Sequence, residues 1–392
     1  MCGLMAGYVV GSMLLIVSVK GTKMFTTVNN NEQVITNYIK SVLRYPLFSD
    51  NDQNNEFEVR QVEGGFLFIP IYPITFVIDE AFYTKLFSIL NLALTPIYTL
   101  IRPLTMQVVT LDGRGSSSSR GLFLPARKGK PQRLTGTMKE LIDQGKRTGE
   151  IPLMDIMGWD YVRSPHAIIT GVSGSGKSYF LRVLYQVCAS IGDVIAIDPK
   201  GSDLARLAKQ NNAQVVVPPF LAEESSTGIS GKFLKDVVDT LKRAESIMYD
   251  RQGQLYRATS KISTDYRELG LKPIFVFIDE VAALMTGASK QVKADFQETL
   301  TRLIVLGREA GVYLILSMQS ARAEYLPTVV RDSISLRVQL GRINSENARF
   351  LFPELSEMLM IPLGGKGSGI MSIAGDPRYA GIEPLLTPTV LD

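Results

Sequence analysis

The chain has 392 residues, 45% of them hydrophobic, and a net charge of +4. That length and apolar content suit two folded domains and exclude a disordered polypeptide. Two cysteines, Cys2 and Cys188, cannot staple a chain this long, which suits a reducing compartment, and with His166 as the sole histidine they leave no ligand set for zinc.

In chain order, the first element is Gly3 to Val19, "GLMAGYVVGSMLLIVSV", an uncharged and mostly apolar run. It sits at the short end of what spans a bilayer. It lacks a basic start and a small-residue cleavage site, so residues 1–20 read as a single-pass transmembrane anchor rather than a signal peptide. Lys20 and Lys23 follow directly and place the rest of the chain on the cytoplasmic side of the cell membrane. Residues 21–115 read as a small membrane-proximal α+β module. "SDNDQNNE" is a loop, "FEVRQV" and "FLFIPI" are two strands around Gly64–Gly65, and "MQVVTL" is a further strand. The apolar run Leu86 to Ile101, interrupted by Asn91 and Pro96, fits an amphipathic helix, with a second span as the alternative.

Charge is uneven. Arg102 to Arg147 hold ten Lys/Arg against three Asp/Glu, and Ser116 to Ser119 form a serine run. Residues 116–150 are therefore expected to be a basic flexible linker. Its "RKGKPQR" stretch fits nucleic acid or anionic lipid, and equally a solvated connection. From residue 151 to 392 the pattern changes to short apolar runs, "HAIIT", "DVIAID", "AQVVV", "IFVFID", "VYLILSMQ" and "SLRVQLG", separated by helical stretches. That alternation predicts one α/β domain on a mainly parallel, buried sheet.

Between the first of those runs and a helical pattern lies "GVSGSGKS". Gly171, Val172, Ser173, Gly174, Ser175, Gly176, Lys177 and Ser178 fill the G-x-x-x-x-G-K-[ST] phosphate-loop pattern of ATP-binding proteins. Glycines let successive N–H groups converge on one anion, and the following helix points its positive end at the same place. Lys177 is expected to reach the β- and γ-phosphates of ATP, and Ser178 to ligate Mg²⁺. "PIFVFIDE" is a buried strand that delivers Asp279 and Glu280 to the ligand-binding sheet edge. Asp279 is expected in the Mg²⁺ shell and Glu280 beside the attacking water. Gln319, at the end of "VYLILSMQ", is either a γ-phosphate sensor or a plain surface amide. Arg308 in "LGREAG" is either an arginine finger toward a neighbouring subunit or an exposed helix-end residue.

Five stretches together resemble the FtsK/SpoIIIE family of DNA-translocating ATPases: "WDYVRSPHAIITGVSGSGKS", "VIAIDPKGSDL", "IFVFIDEVAAL", "GREAGVYLILSMQSA" and "SLRVQLGRINSENAR". The "PH-x-x-I-x-G" lead-in and the "IDPK" strand end are more particular to that family than the phosphate loop. The resemblance covers about residue 151 to the C-terminus. It implies a RecA-like P-loop NTPase domain, assembled as a homo-hexameric ring around DNA. By motif position it carries Lys177, Ser178, Asp279, Glu280 and Gln319 over to the family's nucleotide site. Arg308 matches an arginine that acts between subunits, with Arg337 and Arg349 as weaker candidates. Lys200 in "DPK" matches a residue of structural or nucleotide-linked role. "SMQSAR" departs from the family's usual "ATQRP".

The short chain looks most like the FtsK-type coupling proteins of Gram-positive conjugative plasmids and integrative elements. The expectation is a membrane-anchored, ATP-dependent DNA translocase that grips the DNA backbone without sequence preference. A relaxase or conjugation channel protein would supply the choice of DNA. The alternatives are a chromosome or plasmid segregation translocase, an FtsK/SpoIIIE-type ATPase for protein secretion, and a non-translocating nucleotide switch.

Overall fold

Two kinds of apolar pattern, alternating and continuous, divide the chain into two units. The computed structural model describes residues 30–47, 56–74, 77–219, 231–285, 288–321, 325–343, 345–353, 365–379 and 381–391, and the units meet in sequence between Lys130 and Pro131.

The first unit carries the alternating pattern. Helix α1 (Asn30–Leu47) precedes the strands β1 (Glu56–Val62) and β2 (Gly65–Ile71), which pair antiparallel about the expected Gly64–Gly65 turn. Helix α2 (Glu80–Leu94) follows, capped by the Asp79 carboxylate, which accepts from the Phe82 N–H at 2.8 Å. The short strands β3 (Tyr98–Leu100), β4 (Arg102–Pro103) and β5 (Val108–Thr110) lead to β6 (Arg120–Lys128). The sheet runs β1-β2-β6-β3, with β5 also on β6. Ile35, Ile39 and Leu43 form one stripe of α1 and join Leu86, Leu90 and Leu94 of α2 over Phe66, Phe68, Leu122 and Leu124. The Leu86–Ile101 run is helical, as expected, only as far as Leu94, the last residue of the fifteen-residue α2; beyond Pro96 it carries the strand β3 instead. Among the described residues no helix is long and apolar enough to cross a membrane; the expected anchor, residues 1–20, lies outside them.

The linker expected at 116–150 is folded instead. Its serine run is the turn between β5 and β6, where Leu111 N–H bonds Ser119 O at 2.7 Å. Leu122 and Leu124 alternate into the first unit's core, so β6 is a buried strand despite its basic ends. The remainder belongs to the second unit. There β7 (Thr135–Gly136) precedes α3 (Met138–Thr148), whose start is a capping box between Thr137 and Glu140. Met138 and Leu141 are buried in the second unit's core.

The second unit carries the continuous pattern. A hairpin of β8 (Ile151–Met154) and β9 (Met157–Trp159) leads into β10 (Ala167–Gly171) and α4 (Lys177–Ile191). Next come β11 (Asp193–Ile197), α5 (Asp203–Gln210), β12 (Gln214–Val216), α6 (Gly231–Ala258) and β13 (Ile274–Ile278). The short α7 (Val281–Leu284) and long α8 (Lys290–Ala310) precede β14 (Val312–Met318), α9 (Thr328–Ser333), β15 (Leu336–Leu340) and α10 (Ser345–Leu351). The chain closes with β16 (Ser368–Ile373), β17 (Gly381–Leu386) and β18 (Thr389–Val390).

Strands β12-β11-β13-β14-β10-β15 lie side by side and parallel, as the six apolar runs predict, and β16 and β17 extend them antiparallel. Both faces are covered, which is why the runs are unbroken. Val276, Ile278, Leu314 and Leu316 pack with α6 and α8. Their neighbours Phe275, Phe277, Tyr313 and Ile315 pack with α3 and α4. Strand β18 pairs parallel with β7, joining the two ends of the unit.

Candidate functional site

Strand β10 enters the sheet between β14 and β15, and α4 leaves it, so residues 172–176 arch over the carboxyl ends of the parallel strands. His166 sets the strand's position. Its Nδ1 accepts the Leu314 N–H at 3.1 Å and its carbonyl accepts the Leu336 N–H at 3.1 Å, tying β10 to the starts of both neighbours. Burial pushes the His166 pKa down to about 3, so the ring is neutral and structural.

The loop itself is a cradle. Val172, Ser173, Gly174 and Ser178 are exposed, whereas Ser175 and Lys177 are buried. Gly176 occupies the N-cap of α4 with φ 97°, in the left-handed region, and no side chain caps the helix. A Cβ there would stand 2.7 Å from the backbone N of Gly367, so only glycine fits. The first N–H groups of α4 have no partner within the helix and carry its positive end. Ser175 Oγ is buried with no hydrogen-bond partner. An uncapped fifteen-residue helix and an orphaned hydroxyl in a closed loop fit an anion such as a phosphate chain.

The cationic and acidic groups converge next to it. Lys177 Nζ donates to Ser317 Oγ at 2.8 Å, and the Ser317 hydroxyl donates in turn to Asp279 Oδ1 at 2.8 Å. Lys177 Nζ also lies 3.4 Å from that oxygen. All three residues are buried, which suits a neutralised trio. Asp279 and Ser178 offer hard oxygen donors of the type Mg²⁺ takes, with the rest of its shell left to phosphate and water. Glu280 follows at φ 53°, ψ 62°, a left-handed conformation uncommon for a residue with a side chain. Its Oε1 accepts the Gln319 N–H at 3.2 Å and its Oε2 accepts Lys200 Nζ at 2.9 Å.

Among the predicted residues, the structure therefore gathers Lys177, Asp279, Glu280 and the end of β14 at one sheet edge. The Gln319 side chain is exposed there, while its backbone N–H holds Glu280. Arg308 is not gathered. It is exposed near the end of α8, just before the seven-residue β14 begins, and Gln319 lies past the other end of that strand. At about 3.3 Å per residue that separation puts Arg308 beyond reach of this chain's own loop. Arg337 is half-buried and donates to the Ile334 and Leu351 carbonyls, and Arg349 is exposed on α10.

Three contributors were missed from sequence. Ser317 shows only as a lone hydroxyl in an apolar run. Asp198, fully buried, accepts from the Lys200, Ser202 and Ala205 N–H groups and fixes the turn after β11. The turn 365–367, visible as "GGKGSG", donates Gly367 N–H to Ser175 O at 2.7 Å. Arg133 braces that turn, donating to Thr387 O at 2.7 Å and Lys366 O at 2.9 Å. Gly367 has φ 79°, and a Cβ on it would collide with Thr387 Oγ1.

The FtsK/SpoIIIE family model matches residues 135–322. The chain is 30% identical over 217 residues to the FtsK domain-containing protein YdcQ of Bacillus subtilis (strain 168), covering 55% of this chain and 42% of that protein. It is 26% identical over 220 residues to the DNA translocase FtsK of Lactococcus lactis subsp. cremoris (strain MG1363), covering 51% of this chain and 27% of that protein. The chain thus spans less than half the length of these curated relatives. Its fold is similar to that of the pCW3 conjugation coupling protein TcpA, solved as a monomer with ATPgS. There the TM-score is 0.50 and the identity 18%, over 90% of this chain and 94% of that one.

Proposed function

We propose, from the premise that residues 135–322 are an FtsK/SpoIIIE family domain, that this chain is an ATP-hydrolysing DNA translocase that works in conjugative transfer. The observation that carries hydrolysis is the convergence of Lys177, Ser317, Asp279 and Glu280 beside an uncapped helix start. Lys177 exchanges its Ser317 and Asp279 contacts for phosphate oxygens. Asp279 and Ser178 would hold Mg²⁺, which would supply neutralisation of charge on the transferred phosphoryl group. Glu280 accepts the proton of the attacking water. Gln319, whose main chain already touches Glu280, senses the terminal phosphate.

The ring form follows from the same reading. Arg308 lies at the opposite sheet edge, where it serves a neighbouring copy's site in a homo-hexamer. DNA is held through its phosphates, so grip is independent of sequence and weakens with salt. A relaxase or a conjugation channel protein selects the DNA. Residues 1–20 anchor the chain once in the cell membrane, with the ATPase in the cytoplasm. Conjugation is preferred to segregation because the fold likeness to a conjugation coupling protein extends over 90% of this chain.

The test is ATP turnover by the full chain with duplex DNA, with single-stranded DNA and with none, across salt concentrations. Stimulation that fades with salt supports translocation, and the preferred DNA form identifies the substrate. Turnover unmoved by either DNA would refute the translocase.

A further inference from the structure

The "DPK" turn places a cation on the one group that hydrolysis needs free. Lys200 follows β11, and the strands run β11-β13-β14-β10. It therefore emerges on the side of Glu280 remote from the phosphate loop. Its Nζ donates to Glu280 Oε2 at 2.9 Å, while Oε1 is taken by the Gln319 N–H at 3.2 Å. Both oxygens of the carboxylate are thus engaged by the protein itself. The main chain of Lys200 is fixed, its N–H donating to the buried Asp198 at 2.9 Å. Its side chain is 45% exposed, against 8% for Glu280, so the ammonium can leave for water while the carboxylate stays in place. The backbone of Glu280 is left-handed, and these two hydrogen bonds fix where its carboxylate oxygens point.

We infer that Lys200 is a positioning residue that holds Glu280 turned from the phosphate loop and keeps turnover low in the absence of DNA. This deepens the ATPase reading and rests on it. When Nζ releases Oε2, that oxygen is free to accept a proton from water. The water oxygen then bonds the terminal phosphorus as the bond to the bridging oxygen breaks and ADP leaves. Lys200 makes and breaks no covalent bond.

The experiment compares the full chain with its Lys200→Met, Lys200→Gln and Lys200→Arg variants at saturating ATP and Mg²⁺. A half-exposed ion pair is a modest restraint, so the Met and Gln variants should raise the DNA-free kcat about three- to tenfold. KM should stay within about twofold, because no phosphate contact changes. Stimulation by DNA should shrink by the same factor, and Lys200→Arg should restore the low rate. Binding of a trinitrophenyl-ATP probe should match the wild type in every variant. A DNA-free kcat that is unchanged or reduced in the Met and Gln variants overturns the inference, as does an equal rise in the Arg variant. A wild type that hydrolyses no ATP with or without DNA overturns the ATPase reading itself, and the positioning role with it.

Discussion

Acid should weaken the second unit through one side chain far from the chemistry. His166 is wholly buried, and its Nδ1 accepts the Leu314 N–H, so a proton on that nitrogen would set two donors against each other. Burial accordingly pushes its pKa from 6.5 to about 3. The unfolded chain takes up this proton first. The stabilising contribution is therefore complete above the unfolded pKa, is lost as pH falls from there, and is exhausted near the folded value. With about 1.36 kcal/mol per pKa unit, the loss between about pH 7.5 and pH 5 comes to about 2 kcal/mol. That is a sizeable part of the ~5–15 kcal/mol that holds a typical domain together. The assay is urea unfolding followed by Trp159, the sole tryptophan, buried in the same unit with Nε1 donating to Ser164 O at 2.7 Å. His166→Asn is the comparison, since an amide oxygen can accept the Leu314 N–H and Asn tolerates the φ of 61°. The variant should be less stable at neutral pH, yet lose about 2 kcal/mol less than the wild type on acidification. Equal acid losses in the two proteins would refute the assignment.

Other outcomes follow from the site. Glu280→Gln should bind ATP normally while turnover falls by about two to four orders of magnitude, the range for loss of a general base; an unimpaired rate removes that role. Ser317→Ala leaves the buried Asp279 carboxylate short of a donor and should cost about 1–3 kcal/mol in the Trp159 unfolding assay. Arg133→Ala frees the turn that rests on the phosphate loop. It should raise KM for ATP about tenfold, equal to ~1.4 kcal/mol, with kcat held within about twofold, as steady-state kinetics would show.

Strands β10 to β15 were legible in sequence because burial on both faces removes every polar alternation, and "IFVFI" or "VYLILSM" can be little else. The phosphate loop and its acidic partner were legible because their spacing is local. What failed was charge counting across residues 116–150. The arginines and lysines sit at the ends of β6 and on the solvent face of α3, while Leu122, Leu124 and Leu141 do the packing. The contacts of Arg133 were out of reach because they lie 254 and 233 residues away. Ser317 was invisible for a different reason. Only the register that sets β14 beside β13 brings its hydroxyl to Asp279.

The pairing of β18 with β7 has a mechanical side. The two strands run parallel, so tension applied between residue 131 and residue 391 pulls them along their length rather than peeling them apart. Thr389 N–H to Leu134 O at 2.8 Å and Leu391 N–H to Gly136 O at 3.0 Å would then be loaded together. The Val390 N–H adds a third tie at 2.7 Å to the Tyr179 hydroxyl, on the helix that begins at the phosphate loop. Stretching the unit by its ends would thus strain the first turn of α4, so that the grip on phosphate and the load on the chain are sensed by one helix.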